Sequence, residues 1–241
     1  MYEALALGFR RPTPETVARL ASPEGAGALA DAAAVLDTTR GGALAARVHS
    51  LGEWSDLEAL TASFYRLFGH TARGLVPPYE TEYGEGSLFL PMQEMSDLAA
   101  FCRAFGLALA PAAHERMDHV SCECEFLMVL ARKEAFALAR DDPDMRESVR
   151  RAYRMFLRDH LGRWAPGFGR KLAREDPEGF YGTLGSLCVD FVTAECAAVG
   201  VAAGPDVLPL RSASPADVPM ACDSREELLQ IRPPPGRPEA G

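Results

Sequence analysis

The sequence predicts an all-α fold, a single globule of about ten helices if the mean helix length holds. Three observations support this prediction. Apolar residues recur at three- and four-residue spacing in most segments, as on the buried face of a helix. No run of alternating apolar and polar residues indicates a half-buried strand. Glycine and proline fall between the periodic segments, where they end one helix and begin the next.

The N-terminal part of the chain is predicted to hold short helices. The first spans residues 2–9, and the second begins with Thr13 as its N-cap and Pro14 in its first position. An alanine-rich segment follows over residues 28–48, with apolar residues at helical spacing. Because residues 41–42 are both glycine, we expect two helices there rather than one.

A well-marked helix precedes an unusual loop. Ser55 and Glu58 form a capping-box pattern ahead of apolar residues at helical spacing, and Gly69 closes this helix. The periodicity then stops over residues 70–91, and a long loop inside a compact domain is more often functional than not. A helix resumes after the loop and ends at Gly106.

Residues 115–139 are predicted to contain the central helix, because this segment is apolar over much of its circumference and lacks Pro and Gly. Glu123, Lys133 and Glu134 are expected on its wetter side. The positions expected to be apolar and buried are Val120, Cys124, Leu127, Met128, Leu130, Ala131, Phe136 and Leu138.

Two long helices should follow the central one. Asp142 and Pro143 begin the first, which is expected to stop at residues 166–167, a Pro-Gly pair. Pro177 is expected to begin the second, which ends at Gly200.

The composition changes near Gly204. Eight of the chain's 18 prolines lie beyond it. We therefore predict an all-α domain over residues 1–203 and a Pro-rich, largely irregular tail over residues 204–241. Removing that tail is expected to cost little stability.

The net charge of −9 argues against a nucleic-acid-binding protein, whose footprint is a basic patch. No apolar run is long enough to cross a bilayer, so stable membrane insertion is not expected. Arg10 and Arg11 are followed by Pro12 and Pro14 rather than by an apolar stretch, and we reject an export signal there. The six cysteines follow no recognisable leader, which favours a cytoplasmic protein with reduced thiols.

The most unusual cluster lies at the start of the central helix. Asp118 and His119 could form an acid–base pair, as in a hydrolase, but no nucleophile stands in a recognisable motif nearby. His119, Cys122 and Cys124 could bind a metal or haem in a redox sensor, although their spacing resembles no zinc or iron–sulfur signature. We expect no catalytic residue, metal or cofactor here. Buried thiols and a structural histidine are the favoured interpretation.

The loop carries a second cluster. Pro77 and Pro78 fix an extended backbone, and Tyr79, Glu80 and Tyr83 follow. Carboxylates beside aromatic rings suit a cationic ligand that carries arginine. A rigid connector whose tyrosines pack on the helices is the alternative for the loop, and a core stripe is the alternative for His160 and Trp164, farther along the chain.

These blocks resemble a known family. SFYRLFGH, PPYETEYG, ERMDHVSCECEFLMVLARKEAFAL and FLRDHLGRW occur in the order and spacing of the TorD/DmsD/NarJ family, whose members are cytoplasmic maturation chaperones for molybdenum-containing redox enzymes. The similarity runs from about Leu5 to Val199. Met117 stands where the family usually has proline before the Asp-His pair. The family is all-α.

The resemblance implies a binding protein rather than an enzyme. Such a chaperone binds the twin-arginine leader or the apo catalytic subunit of an oxidoreductase of the dimethyl-sulfoxide-reductase superfamily. It assists cofactor insertion before export, as a monomer or a homodimer. The residues expected to face the peptide are Tyr65, Phe68, Pro78, Tyr79, Glu80, Tyr83, Asp118 and His119, followed by His160 and Trp164.

Overall fold

The computed structural model describes residues 1–40, 43–69, 73–84, 90–110, 115–211 and 229–231. Several features that the sequence predicts lie outside the described residues. These are the Gly41-Gly42 break, two stretches of the long loop at 70–72 and 85–89, and most of the tail at 212–228 and 232–241.

Ten α-helices make up most of the described ranges and confirm the all-α prediction. Their bounds are Tyr2–Gly8 (α1), Pro14–Thr16 (α2), Pro23–Arg40 (α3), Leu44–Leu51 (α4), Leu57–Phe68 (α5), Leu90–Ala104 (α6), Val120–Ala139 (α7), Pro143–Asp159 (α8), Leu161–Glu175 (α9) and Phe180–Ala198 (α10). A π-helical turn at Val17–Ala21 continues α2.

The predicted caps are found at two helix starts and displaced at a third. Thr13 accepts the N–H of Thr16 at the start of α2, and Asp142 accepts the N–H of Met145 at the start of α8. The cap of α5 is Asp56, whose carboxylate accepts from two backbone N–H groups of the first turn, rather than the predicted Ser55. A carboxylate is also favoured there by the positive end of the helix dipole.

The break predicted at Pro166 is wrong. The chain breaks at His160, between α8 and α9, and Pro166 lies inside α9. A proline removes the hydrogen bond to the carbonyl four residues earlier, here that of Gly162. The N–H of Gly204 donates to that carbonyl at 2.8 Å, so the start of the tail satisfies the group that Pro166 leaves open.

The start predicted for α10 at Pro177 is also displaced, to Phe180. The side chain of Asp176 accepts the N–H groups of Tyr181 at 3.2 Å and Gly182 at 3.3 Å. A carboxylate in this position satisfies donors of the first helical turn. The residues around Pro177 therefore form the turn that precedes the helix.

The N-terminal half of α7 lies at the centre of the core and packs against α1, α8 and α9. Glu123, expected to face water, is only 1% exposed. The reverse error occurs at the other end of the helix, where Phe136 and Leu138 are 52% and 53% exposed. The N-terminal half of α7 is therefore covered by other elements, whereas one side of its C-terminal half is exposed.

Two glycines let α9 and α10 approach closely. A Cβ atom on Gly169 would come within 2.5 Å of the Gly185 carbonyl oxygen, and a Cβ on Gly185 within 2.7 Å of the Gly169 carbonyl oxygen. Real Cβ atoms do not tolerate such distances to backbone, so both positions require glycine.

The structure also contains a small sheet that the sequence did not predict. Leu107–Leu109 (β1) pairs antiparallel with Leu229–Ile231 (β2). Three residues are too few for an alternating pattern to be detected. Residues 201–211 contain no helix or strand, and they contact the loop and α9, as described below.

Candidate functional site

The two predicted blocks, the Pro77–Tyr83 loop and the start of α7, lie side by side. The N–H of Glu80 donates to the carbonyl of Asp118, and the N–H of Val120 donates to the carbonyl of Pro78, both at 2.9 Å. These bonds flank a bridge between Tyr79 and His119. Residues almost 40 positions apart in the sequence are therefore joined by backbone hydrogen bonds.

Asp118 is fully buried and holds the loop in place. Its carboxylate accepts the hydroxyl of Thr81 at 2.7 Å and the guanidinium of Arg116 at 2.6 and 2.9 Å. The guanidinium also lies over the ring of Tyr79, 4.8 Å from its centroid. Burial of a carboxylate is tolerated when it is paired and hydrogen-bonded in this way.

Glu80 is the second buried carboxylate. It interacts with Nδ1 of His160 at 3.0 Å and accepts from the guanidinium of Arg163 at 2.5 Å. Arg163 also donates to Glu94 at 2.7 Å, and Glu94 accepts from Arg211 at 3.0 and 3.1 Å. This chain of charges links the loop to α6, α9 and the beginning of the tail.

Trp164 and Tyr83 stack beneath the loop with ring centroids 5.4 Å apart. The indole N–H donates to the carboxylate of Glu123, and the Tyr83 hydroxyl donates to the carbonyl of Pro77. Burial raises the pKa of Glu123 well above its usual range, and the negative charge of Glu80 acts in the same direction. The interior of the site therefore favours the protonated form of Glu123.

His119 is the N-cap of α7. Its Nδ1 accepts the N–H of Ser121 at 3.1 Å, and its ring meets that of Tyr79 edge-on at 5.2 Å. Burial lowers the pKa of His119 below its usual range, while the charges of Glu115 and Asp118 oppose that shift. The neutral imidazole is also what the cap requires, because a protonated Nδ1 cannot accept.

Tyr65 and Phe68 occupy opposite environments on α5. Phe68 is 6% exposed and packs with Phe64, Phe168 and Tyr181, so it belongs to the core. Tyr65 is half-buried, and the guanidinium of Arg11 lies over its ring, 5.6 Å from the centroid.

The ten residues predicted from the sequence thus divide unequally. Nine are buried, and Tyr65 alone among the ten is partly exposed. The sequence reasoning missed the cations, the further acids and the one hydroxyl that complete the cluster. Those residues are Thr81, Glu94, Arg116, Glu123, Arg163 and Arg211. The sequence offered one chemical indication of these residues, because a carboxylate that becomes buried needs a cation or a hydrogen-bond donor as its partner.

The cysteines do not converge with His119 on a common point. Cys122 donates to the carbonyl of Arg116 at 3.3 Å, and Cys124 is fully buried. Burial raises the pKa of both thiols well above the usual range and so favours the protonated form, which is not a metal ligand. Within the described ranges, no group of three or more His, Cys, Asp or Glu residues is arranged to hold a metal ion.

The fold and the cluster define an all-α protein whose two marked sequence blocks form one closed polar site. The chain matches the family described as nitrate reductase delta subunit over residues 23–170. It therefore belongs to this family, the TorD/NarJ family of maturation chaperones for molybdenum-containing redox enzymes, as the sequence blocks predicted.

Three relatives show what this chain is similar to. A selenate reductase assembly chaperone protein from Thauera selenatis is 32% identical over 54% of this chain and 78% of its own length. The TorD chaperone proteins of Vibrio parahaemolyticus and Aliivibrio salmonicida are 29% and 24% identical over 57% and 55% of this chain, and the matches span 63% and 60% of their own lengths. All three are named chaperones, in agreement with the prediction of a non-enzyme.

No solved structure matches the chain. None of the helices in the described ranges is long and apolar enough to span a membrane.

Proposed function

We propose that this chain is a cytoplasmic chaperone that binds the twin-arginine leader, the apo catalytic subunit, or both, of a molybdenum-containing oxidoreductase of the dimethyl-sulfoxide-reductase superfamily. It assists cofactor insertion before the client is exported. The observation that carries this proposal is the backbone pairing of the Pro77–Tyr83 loop with the start of α7, since these blocks also carry the resemblance to the family.

The peptide-binding site is proposed at the outer face of this paired region. Glu80 and Asp118 are buried and already bonded to arginines of the chain, so in this conformation they shape the site from within. A leader arginine reaches either carboxylate only if the loop opens. Tyr65 is the one predicted residue that is partly exposed, so a peptide guanidinium can reach its ring when the Arg11 side chain that lies over it moves aside.

This geometry changes which variants test the proposal. Replacing Asp118 or Glu80 by alanine leaves buried Thr81 or His160 without its hydrogen-bond partner, which is expected to cost about 1–3 kcal/mol of stability. Weaker peptide binding by these variants would therefore be accompanied by a lower melting temperature. Tyr65→Ala is the better test, because its side chain is partly exposed.

The test is calorimetric titration of a synthetic peptide, an Arg-Arg pair followed by an apolar run, into the full chain. Tyr65→Ala is expected to weaken binding about fivefold or more, the value of a cation–π contact of roughly 1 kcal/mol. Phe136→Ala is the matched control, because Phe136 is an exposed ring on α7 with Arg140 over it at 4.9 Å. Equal affinities for wild type and Tyr65→Ala would place the peptide elsewhere.

A second measurement addresses the client rather than the peptide. The chain is mixed with apo catalytic subunits that carry or lack their leader. If the leader is the recognised element, removing it should abolish complex formation in size-exclusion chromatography. Binding that survives leader removal assigns the contact to the mature subunit.

A further inference from the structure

The arginine pair at Arg10-Arg11 has a defined position in the fold. It directly follows α1, and Phe9 before it is fully buried against Phe168, with ring centroids 5.2 Å apart. Pro12 after it is buried as well. The backbone of the pair is therefore anchored on both sides, while the Arg10 side chain is largely enclosed and Arg11 is half-buried.

Arg10 forms an ion pair with Glu125, a residue of α7. The Glu125 side chain is 3% exposed and that of Arg10 is 14% exposed. The burial of the Glu125 carboxylate favours arginine over lysine as its partner. A guanidinium is more weakly hydrated than an ammonium group and presents a planar fork of N–H donors.

Arg11 contacts a different kind of group. Its guanidinium lies over the ring of Tyr65, 5.6 Å from the centroid. Two adjacent arginines are thus met by one buried carboxylate and one aromatic face. These are the two chemistries by which proteins bind guanidinium groups.

The pair lies beside the candidate site. Glu125, the partner of Arg10, is the sixth residue of α7, so this ion pair places Arg10 within about two helical turns of the N-cap His119. The His119 ring in turn contacts Tyr79 in the loop. Tyr65, the exposed member of the predicted peptide-facing residues, is itself the partner of Arg11.

We propose that Arg10-Arg11 is an internal ligand, which fills an arginine-binding subsite made by Glu125 and Tyr65, and that a client's paired arginines bind there by displacing it. This inference rests on the proposed function and names the residues that read the arginines. Because the backbone is anchored at Phe9 and Pro12, the exchange moves the two arginine side chains rather than the main chain.

An internal ligand lowers the apparent affinity for every external one by the fraction of time for which the subsite is filled. It also makes the subsite more selective among ligands. Only a segment with two adjacent guanidinium groups replaces both contacts, whereas a single arginine or a lysine pair recovers one contact or weaker ones.

The test uses the full chain and two synthetic peptides, identical except for Arg-Arg or Lys-Lys ahead of an apolar run. Affinities are measured for wild type, Arg10→Gln/Arg11→Gln and Arg11→Gln. The double variant is expected to bind the Arg-Arg peptide about tenfold or more tightly than wild type, because the competitor is gone. Arg11→Gln should show a smaller gain, and it keeps the Arg10–Glu125 ion pair if the double variant fails to fold.

Two further comparisons identify the subsite. Arg10→Gln/Arg11→Gln/Glu125→Gln removes the carboxylate together with the internal ligand, so its gain over wild type should disappear. The Lys-Lys peptide should bind the double variant at least about tenfold more weakly than the Arg-Arg peptide.

The outcomes separate this inference from the function on which it rests. If wild type binds the Arg-Arg peptide and neither Arg10→Gln/Arg11→Gln nor Arg11→Gln binds it more tightly, the internal-ligand inference is overturned and the chaperone proposal stands. Weaker binding by both variants also overturns it, because the arginines would then belong to the peptide site themselves. If no form of the protein binds the Arg-Arg peptide, leader recognition and the inference are refuted together.

Discussion

At the residue scale, the site is governed by how burial sets the charge of His119 and Glu123. Both side chains are almost fully enclosed, and in both cases burial shifts the pKa toward the neutral form. The neutral imidazole caps α7, and the carboxyl of Glu123 receives the indole N–H of Trp164. Glu80 and Asp118, the other two buried acids of the site, each lie against an arginine.

The depressed pKa of His119 predicts how stability depends on pH. In the unfolded chain a histidine binds a proton below about pH 6.5. In the folded chain protonation needs a lower pH, so the unfolded state binds more protons in the window below about 6.5. The stability that neutral His119 contributes is present above that window, and it falls as the pH is lowered through it toward the folded pKa.

His119→Asn should remove this dependence, since asparagine is a good N-cap and does not titrate. Between pH 7.5 and 5.5 the melting temperature of wild type should fall by about 2–4 °C more than that of His119→Asn, for a difference of about 1 kcal/mol. His49→Asn, which replaces an exposed histidine, is the control and should behave as wild type. Parallel curves for all three proteins would contradict the prediction.

At the element scale, α9 shows how a helix accommodates a proline. Pro166 leaves the carbonyl of Gly162 without an intrahelical donor, and the N–H of Gly204 occupies that place at 2.8 Å. The contact requires glycine at 204, because a Cβ atom there would come within 1.9 Å of the Arg163 carbonyl oxygen. The proline that was expected to end the helix therefore creates the place where the start of the tail binds to α9.

Gly204→Ala should detach this contact. The clash lifts the backbone from α9 and leaves the Gly162 carbonyl without its donor, at an expected cost of about 1–3 kcal/mol in denaturant unfolding. Gly27→Ala is the matched control. Gly27 lies inside α3 with open space around its Cβ position, so this substitution should stabilise by about 0.5–1 kcal/mol. Equal stability of Gly204→Ala and wild type would show that the contact contributes nothing.

At the scale of the whole molecule, the polar cluster joins five segments of the chain. The loop, α6, the start of α7, the start of α9 and the tail meet through Glu80, Glu94, Asp118, Arg163 and Arg211. The tail enters this cluster directly. Pro209 accepts the N–H of Gly84, and the N–H of Arg211 donates to Glu82, both at 2.8 Å. Residues 205–211 are therefore part of the docked structure, although their backbone is irregular.

Two truncations measure this docking. A chain that ends at Gly204 loses the ion pair of Arg211 with Glu94, whereas a chain that ends at Arg211 keeps it. The shorter chain is expected to melt about 6–12 °C below the longer one, for a loss of about 3 kcal/mol. Arg211→Ala in the longer chain tests the ion pair alone. The earlier expectation that removal after Gly204 costs little is revised accordingly, and identical melting of the two truncations would restore it.

The sequence was sufficient for the fold class and for most of the helices. Caps such as Thr13 and Asp142, and the glycine at position 69, were identified because each acts within one helical turn. The start of α10 and the passage of α9 through Pro166 were not, because the groups that decide them are the carboxylate of Asp176 and the N–H of Gly204. Neither group is part of the apolar periodicity from which the helices were predicted.

The sequence by itself determined the fold class and the family, because helical periodicity and the order of motifs are visible along the chain without knowledge of its tertiary contacts. Only the tertiary structure decided which polar residues face water. Glu80 and Asp118, expected to face a peptide, and Glu123, expected to face water, lie inside the site. Phe136 and Leu138, expected in the core, lie at the surface. Burial depends on neighbours that are distant in the sequence, and the arginines that neutralise these acids come from other segments of the chain.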